Sequence, residues 1–163
     1  MWALLLKKKI GTEYKDYRFA NNDDLKKIKI ISKKLFTKTR IKDRYFGKNS
    51  SHKFYSRWLE NSVKGSFDDC CLLTTDEKNN IIGFVTLKKN IDDVKIGLFG
   101  IAKNYQNKGF GTKLLQVVEG FKKSNNIEIS FITTQKNNLA AKKLYIKNGY
   151  KLIENKAWLY LKN

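Results

Sequence analysis

Ile96-Gly97-Leu98-Phe99-Gly100-Ile101-Ala102-Lys103-Asn104-Tyr105-Gln106-Asn107-Lys108-Gly109-Phe110-Gly111 is the stretch on which the fold turns. A strand-like run, Val94 to Ile101, passes through a short polar turn into two glycines spaced by one residue. Leu114, Leu115, Val117, Val118 and Phe121 then recur at helical spacing, which predicts a helix over Gly109 to Ser124. Glycines in that position let the backbone turn tightly and let a ligand approach without meeting a β-carbon. Amides freed at the helix start, together with the helix dipole, make an anion site suited to a diphosphate. The dinucleotide fingerprint requires a third glycine, and the P-loop requires a Gly-Lys-Ser/Thr that is missing here.

Downstream of this stretch the pattern predicts a strand over Ile127 to Thr133, a helix over Asn138 to Lys147 ended by Asn148-Gly149, and strands over Tyr150 to Ile153 and Ala157 to Leu161. Upstream, Asp69 to Thr75 and Ile81 to Lys88 join Val94 to Ile101 as an antiparallel meander, because the polar pieces between them are of hairpin length. Phe54, Tyr55, Trp58, Leu59 and Ser62 repeat at helical spacing after Ser50-Ser51, so a helix is expected there, ending near Gly65. Before it, Asn22, Asp23 and Asp24 offer a cap for a helix carrying Leu25, Ile28, Ile31, Ser32 and Leu35, and Tyr14 to Ala20 reads as the first strand. The expected architecture is one mixed α/β domain: a largely antiparallel sheet, one parallel strand-helix-strand crossover around Gly109 to Ser124, and flanking helices. At 163 residues the chain has room for a single sizeable core.

Composition narrows the function classes. Hydrophobic residues at 41% and aromatics at 13% exclude a disordered chain. The net charge of +19 raises nucleic acid as a partner, but the lysines are scattered through every segment, so the reading is no nucleic-acid surface; the positive field favours anionic small molecules instead. One histidine, His52, supplies neither a multi-histidine metal site nor a Ser-His-Asp triad, and no metal is expected. Cys70 and Cys71 are adjacent and point to opposite faces of a strand, a poor geometry for a disulfide, which fits a reducing compartment. Met1 to Leu6 is apolar but precedes its lysines and is too short to span a bilayer, so a cytoplasmic protein without membrane contact is expected.

Gln106-x-x-Gly109-x-Gly111 after an apolar strand resembles the acetyl-CoA loop of the GNAT superfamily of N-acetyltransferases. The run Asn138-Leu139-Ala140-Ala141-Lys142-Lys143-Leu144-Tyr145-Ile146-Lys147-Asn148-Gly149-Tyr150 resembles the second cofactor segment of that family, N-x-x-A-x-x-L-Y-x-x-x-G-F/Y. The resemblance implies the GNAT fold and acetyl-CoA as donor. It implies contacts to the diphosphate from Gln106, Asn107, Lys108, Gly109, Phe110, Gly111 and Thr112, and contacts along the pantetheine or nucleotide from Asn138 and Ala141. The family's splayed strand corresponds to Leu98, Phe99, Gly100 and Ile101, with an amide at Phe99 to Ile101 as oxyanion donor. Tyr145 takes the general-acid position, and the chemistry agrees: aminolysis of a thioester expels a thiolate, which a phenol in reach can protonate.

On the acceptor side, Asp43-Arg44-Tyr45-Phe46, the run Tyr55 to Leu73, Ile82 to Leu87 and Trp158-Leu159-Tyr160 resemble the dTDP-fucosamine acetyltransferases, a family that acetylates the 4-amine of a nucleotide-linked 4-amino-4,6-dideoxyhexose for a surface polysaccharide. This implies a nucleotide-diphosphate amino sugar, on dTDP or UDP, as acceptor. Tyr45, Phe46 and Trp58 become candidates to cover base or sugar, Arg44 and Arg57 to meet the diphosphate, and Glu60 and Asp68 to receive the amine proton. Two other readings stand beside it. A GNAT enzyme acting on a protein, polyamine or aminoglycoside amine would want an acidic cleft that the sparse carboxylates do not provide. An inactive GNAT-like module that binds nucleic acid would be marked by salt-sensitive retention without acetyl-CoA binding. The sugar epimer, the nucleotide and a homodimeric state are left open.

Overall fold

The computed structural model describes residues 2–8, 16–37, 39, 41 and 46–157. Seven strands form one sheet: β1 Trp2–Lys8, β2 Arg18–Phe19, β3 Cys70–Thr75, β4 Ile81–Lys89, β5 Asp93–Ile101, β6 Ile129–Gln135 and β7 Lys151–Ala157. The helices are α1 Leu25–Leu35, α2 Ser50–Val63, α3 Phe110–Ser124 and α4 Leu139–Lys147. The sheet runs β2-β3-β4-β5-β6-β1-β7. Every neighbouring pair is antiparallel except β5 and β6, which α3 joins as a parallel crossover. The mixed α/β class and the parallel crossover both match the sequence pattern.

Alternation along the strands divides the core. One cluster gathers Leu72, Val85, Leu87, Val94 and Ile96 with Leu114, Leu115, Val117, Val118 and Phe121 of α3 and Tyr145 of α4. The other gathers Cys71, Leu73, Phe84 and Leu98 with Ile28 of α1 and Leu59 of α2. Thus α1 and α2 cover one face and α3 and α4 the other, a three-layer arrangement. Cys70 belongs to the first cluster and Cys71 to the second, and both thiols are free. The start of α1 is fixed as its sequence dictates, by a capping box in which the Asn21 side chain accepts from the Asp24 amide while Asp24 accepts from the Asn21 amide.

Three boundaries differ from the pattern. The strand expected over Tyr14 to Ala20 shrinks to Arg18–Phe19 among the described residues, pairing with only Leu73 and Leu72 of β3. The single strand Lys151–Ala157 replaces the first of the two final strands and runs on through Ala157; the second, to Leu161, lies outside the described residues beyond Ala157. The largest difference is β1. The apolar run that resembled neither signal nor span is a strand between β6 and β7, and it buries Ala3, Leu4 and Leu6. Adjacent Ala3 and Leu4 point to opposite faces and are both buried, and a strand covered on both faces reads as a continuous apolar run with no alternation to announce it. No described helix is long and apolar enough to cross a membrane.

Candidate functional site

The site opens where β5 and β6 part. Their parallel pairing covers Asp93↔Ile129 to Ile96↔Ile132 and then stops, while β5 continues along β4 to Ile101. At the parting point Gly97 and Leu98 lie together opposite Thr86, a bulge in which the Leu98 amide donates to Thr86 Oγ1 at 2.7 Å. The Ala102 amide donates to the Ile82 carbonyl of β4 at 2.9 Å. Backbone groups alternate sides along a strand, so the amides of residues 98, 100 and 102 face β4 while those of Phe99 and Ile101 face the opening. The Ile101 carbonyl on that side is taken by Gln106 Nε2 at 2.9 Å. Gly100 is required for packing: a β-carbon there would collide with Phe84 and Leu35.

Beyond Ile101 the chain makes a one-turn 3-10 segment, Lys103–Tyr105, and reaches the loop. Asn107 at φ +60° and Gly109 at φ +82° both adopt the left-handed conformation, which aims successive amides to one side. Among the described residues the amides of Asn107, Lys108, Gly109, Phe110 and Gly111 donate to no protein acceptor, whereas the Gly109 carbonyl already receives Thr112 and Lys113 at 3.0 and 3.2 Å. Five donors in sequence at the positive end of a 15-residue helix form an anion cradle, and the loop residues Gln106 to Gly109 are exposed. The two glycines divide the work. Gly109 meets open space and serves the left-handed turn; Gly111 faces Leu144, whose methyl lies 2.9 Å from where a β-carbon would stand, and so lets α4 press against α3. Asn148 Nδ2, donating to Thr112 Oγ1 at 3.2 Å, closes the same contact. Gln106, though exposed, also holds the loop through its Nε2.

Through this contact α4 delivers Tyr145 to the opening. Its ring is 5% exposed and packs edge-on against Phe99 with centroids 5.9 Å apart. Burial pushes its phenol well above the usual tyrosine range, with the neighbouring Tyr150 adding to the rise. The Tyr145 hydroxyl has no hydrogen-bond partner among the described residues. A phenol so held stays protonated through neutral pH. Asn138 caps α4, its Oδ1 accepting from Ala141 at 3.3 Å, and Ala141 packs on the first core cluster.

The acceptor-side residues are less united. Trp58 Nε1 donates to Asp68 Oδ2 at 2.6 Å, Ser62 Oγ donates to the same oxygen at 3.2 Å, and the carboxylate lies against Gly97, in the space its missing side chain leaves. Trp58 stacks on Tyr55 and meets Phe54 and Phe67 edge-on, so α2 presents an aromatic surface beside the bulge. Glu60 points elsewhere. Lys64 and Lys29 hold it at 2.8 and 2.9 Å and depress its carboxyl to about 2, which makes it a weak base. Phe46 is exposed, as is Arg57; Arg44 and Tyr45 lie outside the described residues. Two residues that the sequence reading passed over belong to the site's frame. Asp76 and Tyr105 join the β3–β4 turn to the loop, and no motif spacing marks them, because they meet only through the fold.

The model of the acetyltransferase (GNAT) family matches residues 37–150. A curated protein, the dTDP-fucosamine acetyltransferase of Escherichia coli O6:H1, is 29% identical over 142 residues, covering 86% of this chain. The chain spans 61% of that relative's length. Among solved structures, the PaiA N-acetyltransferase of Thermoplasma acidophilum in complex with coenzyme A superposes with a TM-score of 0.69 at 21% identity, over 87% of this chain and 98% of that one. A GNAT-family acetyltransferase of Colwellia psychrerythraea gives 0.68 at 13% identity, over 93% of this chain and 52% of that one. At such identities the two structures speak for the fold.

Proposed function

This chain belongs to the acetyltransferase (GNAT) family, and on that premise we propose that it transfers an acetyl group from acetyl-CoA to the 4-amine of a nucleotide-linked 4-amino-4,6-dideoxyhexose. The observation that carries the donor half is the row of unpartnered amides from Asn107 to Gly111, opening beside the β5–β6 gap that holds Tyr145. The diphosphate of CoA suits that cradle, and the pantetheine arm would run along the gap so that the thioester lies near Phe99.

The chemistry follows from these groups. The neutral amine attacks the thioester carbonyl, forming the C–N bond, and negative charge gathers on the carbonyl oxygen. The gap-facing amides of Phe99 and Ile101 are fixed donors for that charge and need no rearrangement to meet it. The proton on the attacking nitrogen of the tetrahedral intermediate passes to solvent or to a carboxylate; as the C–S bond breaks, Tyr145 gives its proton to the departing thiolate and is reprotonated from solvent. Transfer is direct. Both cysteines are buried outside the loop, and desolvation pushes the Cys70 thiol up to about 12, far from a nucleophilic thiolate.

For the acceptor, support comes from the relative named for dTDP-fucosamine, from the aromatic surface around Trp58, and from the net charge of +19, which favours a phosphate-bearing molecule over a polyamine or aminoglycoside. The test is thiol release on mixing enzyme, acetyl-CoA and a panel of dTDP- and UDP-linked 4-amino sugars. Release well above the enzyme-free rate with at least one nucleotide sugar is expected. Background rates across the panel, with turnover on a polyamine or peptide amine, would replace the sugar by those acceptors.

A further inference from the structure

The loop that carries the amides is tied down by residues outside it. Tyr105, the last residue of the 3-10 turn, donates its hydroxyl to Asp76 Oδ2 at 2.6 Å, and its ring meets Phe110, the first residue of α3, edge-on at 5.6 Å. Asp76 sits in the β3–β4 turn and is itself fixed. Its Oδ1 accepts from the amides of Lys78 and Asn80 at 3.0 and 2.8 Å, and Asn80 Nδ2 donates to Oδ2 at 3.0 Å. Hydrogen bonds from Tyr105 and Asn80 accordingly hold its carboxyl at about 2, so it is ionised at every working pH. The turn is one rigid piece with the sheet, because β4 follows it directly. Only a few residues separate Tyr105 from the amides at Asn107 to Gly111; the Ala102 amide is tied to Ile82 and Gln106 to Ile101, and Lys108 Nζ donates to the Asn104 carbonyl at 3.0 Å within the segment, but the bond from Tyr105 is the one that reaches the β3–β4 turn.

We infer that Asp76 and Tyr105 are positioning residues, a clamp that presets the loop in its cofactor-receiving geometry and thereby sets affinity for acetyl-CoA without entering the chemical step. The inference rests on the cofactor reading above. Its physical basis is the binding-competent fraction: five amides converge on an anion only in one loop conformation, and a loop released at Tyr105 spends less time in it. Apparent affinity falls in proportion to that fraction, while the bound complex, once formed, is the same. A residue with a merely structural role would lower stability and turnover together.

The experiment measures KM for acetyl-CoA, kcat and melting temperature for the wild type, Tyr105→Phe, Asp76→Ala, Asp76→Asn and the double variant Tyr105→Phe/Asp76→Ala, with CoA binding followed by calorimetry. Tyr105→Phe keeps the ring on Phe110 and should raise KM and the CoA dissociation constant about 5- to 10-fold, with kcat within about twofold. Asp76→Asn retains Oδ1 for the turn and can donate to the Tyr105 oxygen, so it should recover most of what Asp76→Ala loses. The double variant should be no worse than Asp76→Ala, the mark of two residues acting as one unit. A wild type that binds CoA while Tyr105→Phe and Asp76→Ala bind it equally well overturns the clamp and leaves the cofactor site standing. A kcat that falls with unchanged KM likewise overturns it. A wild type that gives no heat with CoA overturns the cofactor reading and the clamp together.

Discussion

Replacing Tyr145 by Phe separates the chemical role of its hydroxyl from the packing role of its ring. The ring is 5% exposed and edge-on to Phe99, contacts that phenylalanine reproduces. The hydroxyl has no partner among the described residues, so its removal breaks no internal hydrogen bond and stability should change by less than about 1 kcal/mol. The loss falls on the leaving thiolate. General acid catalysis of this kind contributes roughly 100- to 10,000-fold, so kcat should drop by at least about 100-fold, equivalent to about 2.7 kcal/mol of barrier. The assay is single-turnover thiol release at saturating acetyl-CoA, with the dissociation constant of CoA measured alongside and expected to stay within about threefold. The pH profile gives a second check. Burial raises the Tyr145 phenol above its ordinary range, so the acid form persists through neutral and mildly alkaline pH, and the wild-type rate should show no loss from its ionisation below about pH 10. A kcat reduced less than about threefold, or an unaltered rate paired with a large loss of CoA affinity, would refute the assignment of the proton donor.

Trp58→Phe keeps an aromatic ring but removes the 2.6 Å donor to buried Asp68, which should cost about 1–3 kcal/mol of stability and raise KM for the acceptor more than for acetyl-CoA; equal effects on both substrates would detach Trp58 from the acceptor side. Lys122→Met removes the 3.0 Å charged hydrogen bond to Glu119 in a region where both side chains are inaccessible, and should destabilise by about 1.5–3 kcal/mol in urea melts, with Glu119→Leu added to Lys122→Met recovering much of it. The Arg18 guanidinium holds Asp24 below its usual carboxyl range by two hydrogen bonds at 2.7 and 2.8 Å. A folded pKa depressed below the unfolded one gives stability that is present above about pH 4 and lost as pH falls through the folded value, so the melting temperature of Arg18→Ala should converge on that of the wild type under strong acid.

The order of elements from α1 to α4 was legible because each carries its own local signal. Leu25, Ile28, Ser32 and Leu35 share a face, Asn21 to Asp24 form a cap, and polar turns separate β3, β4 and β5. What escaped was non-local. Leu4 pairs with Thr134 on one side and Asn155 on the other, and nothing near residue 4 in the sequence records partners so far along the chain. A strand with neighbours on both sides is specified by the slot it fills, and its own residues state only that it is apolar.

The site divides in the same way. Motif spacing marked the loop as a candidate, since a glycine in a left-handed turn and a helix start are local facts, while Tyr145 was marked by the family resemblance. It gave the glycines one shared purpose, whereas Gly109 answers to a backbone angle and Gly111 to Leu144, a side chain of another helix. Glu60 shows what spacing leaves out. Its nearness in sequence to Trp58 made it a candidate base, yet residues two apart on a helix point to nearly opposite sides: Trp58 turns to Asp68, and Glu60 turns to Lys29 on α1. A carboxylate gripped by two lysines and held near 2 is a poor acceptor for an amine proton, while Asp68 lodges against Gly97 beside the bulge that opens the sheet. The helical period and the pairing of each charge therefore set these two nearby carboxylates in different surroundings, and both are properties of the packed chain.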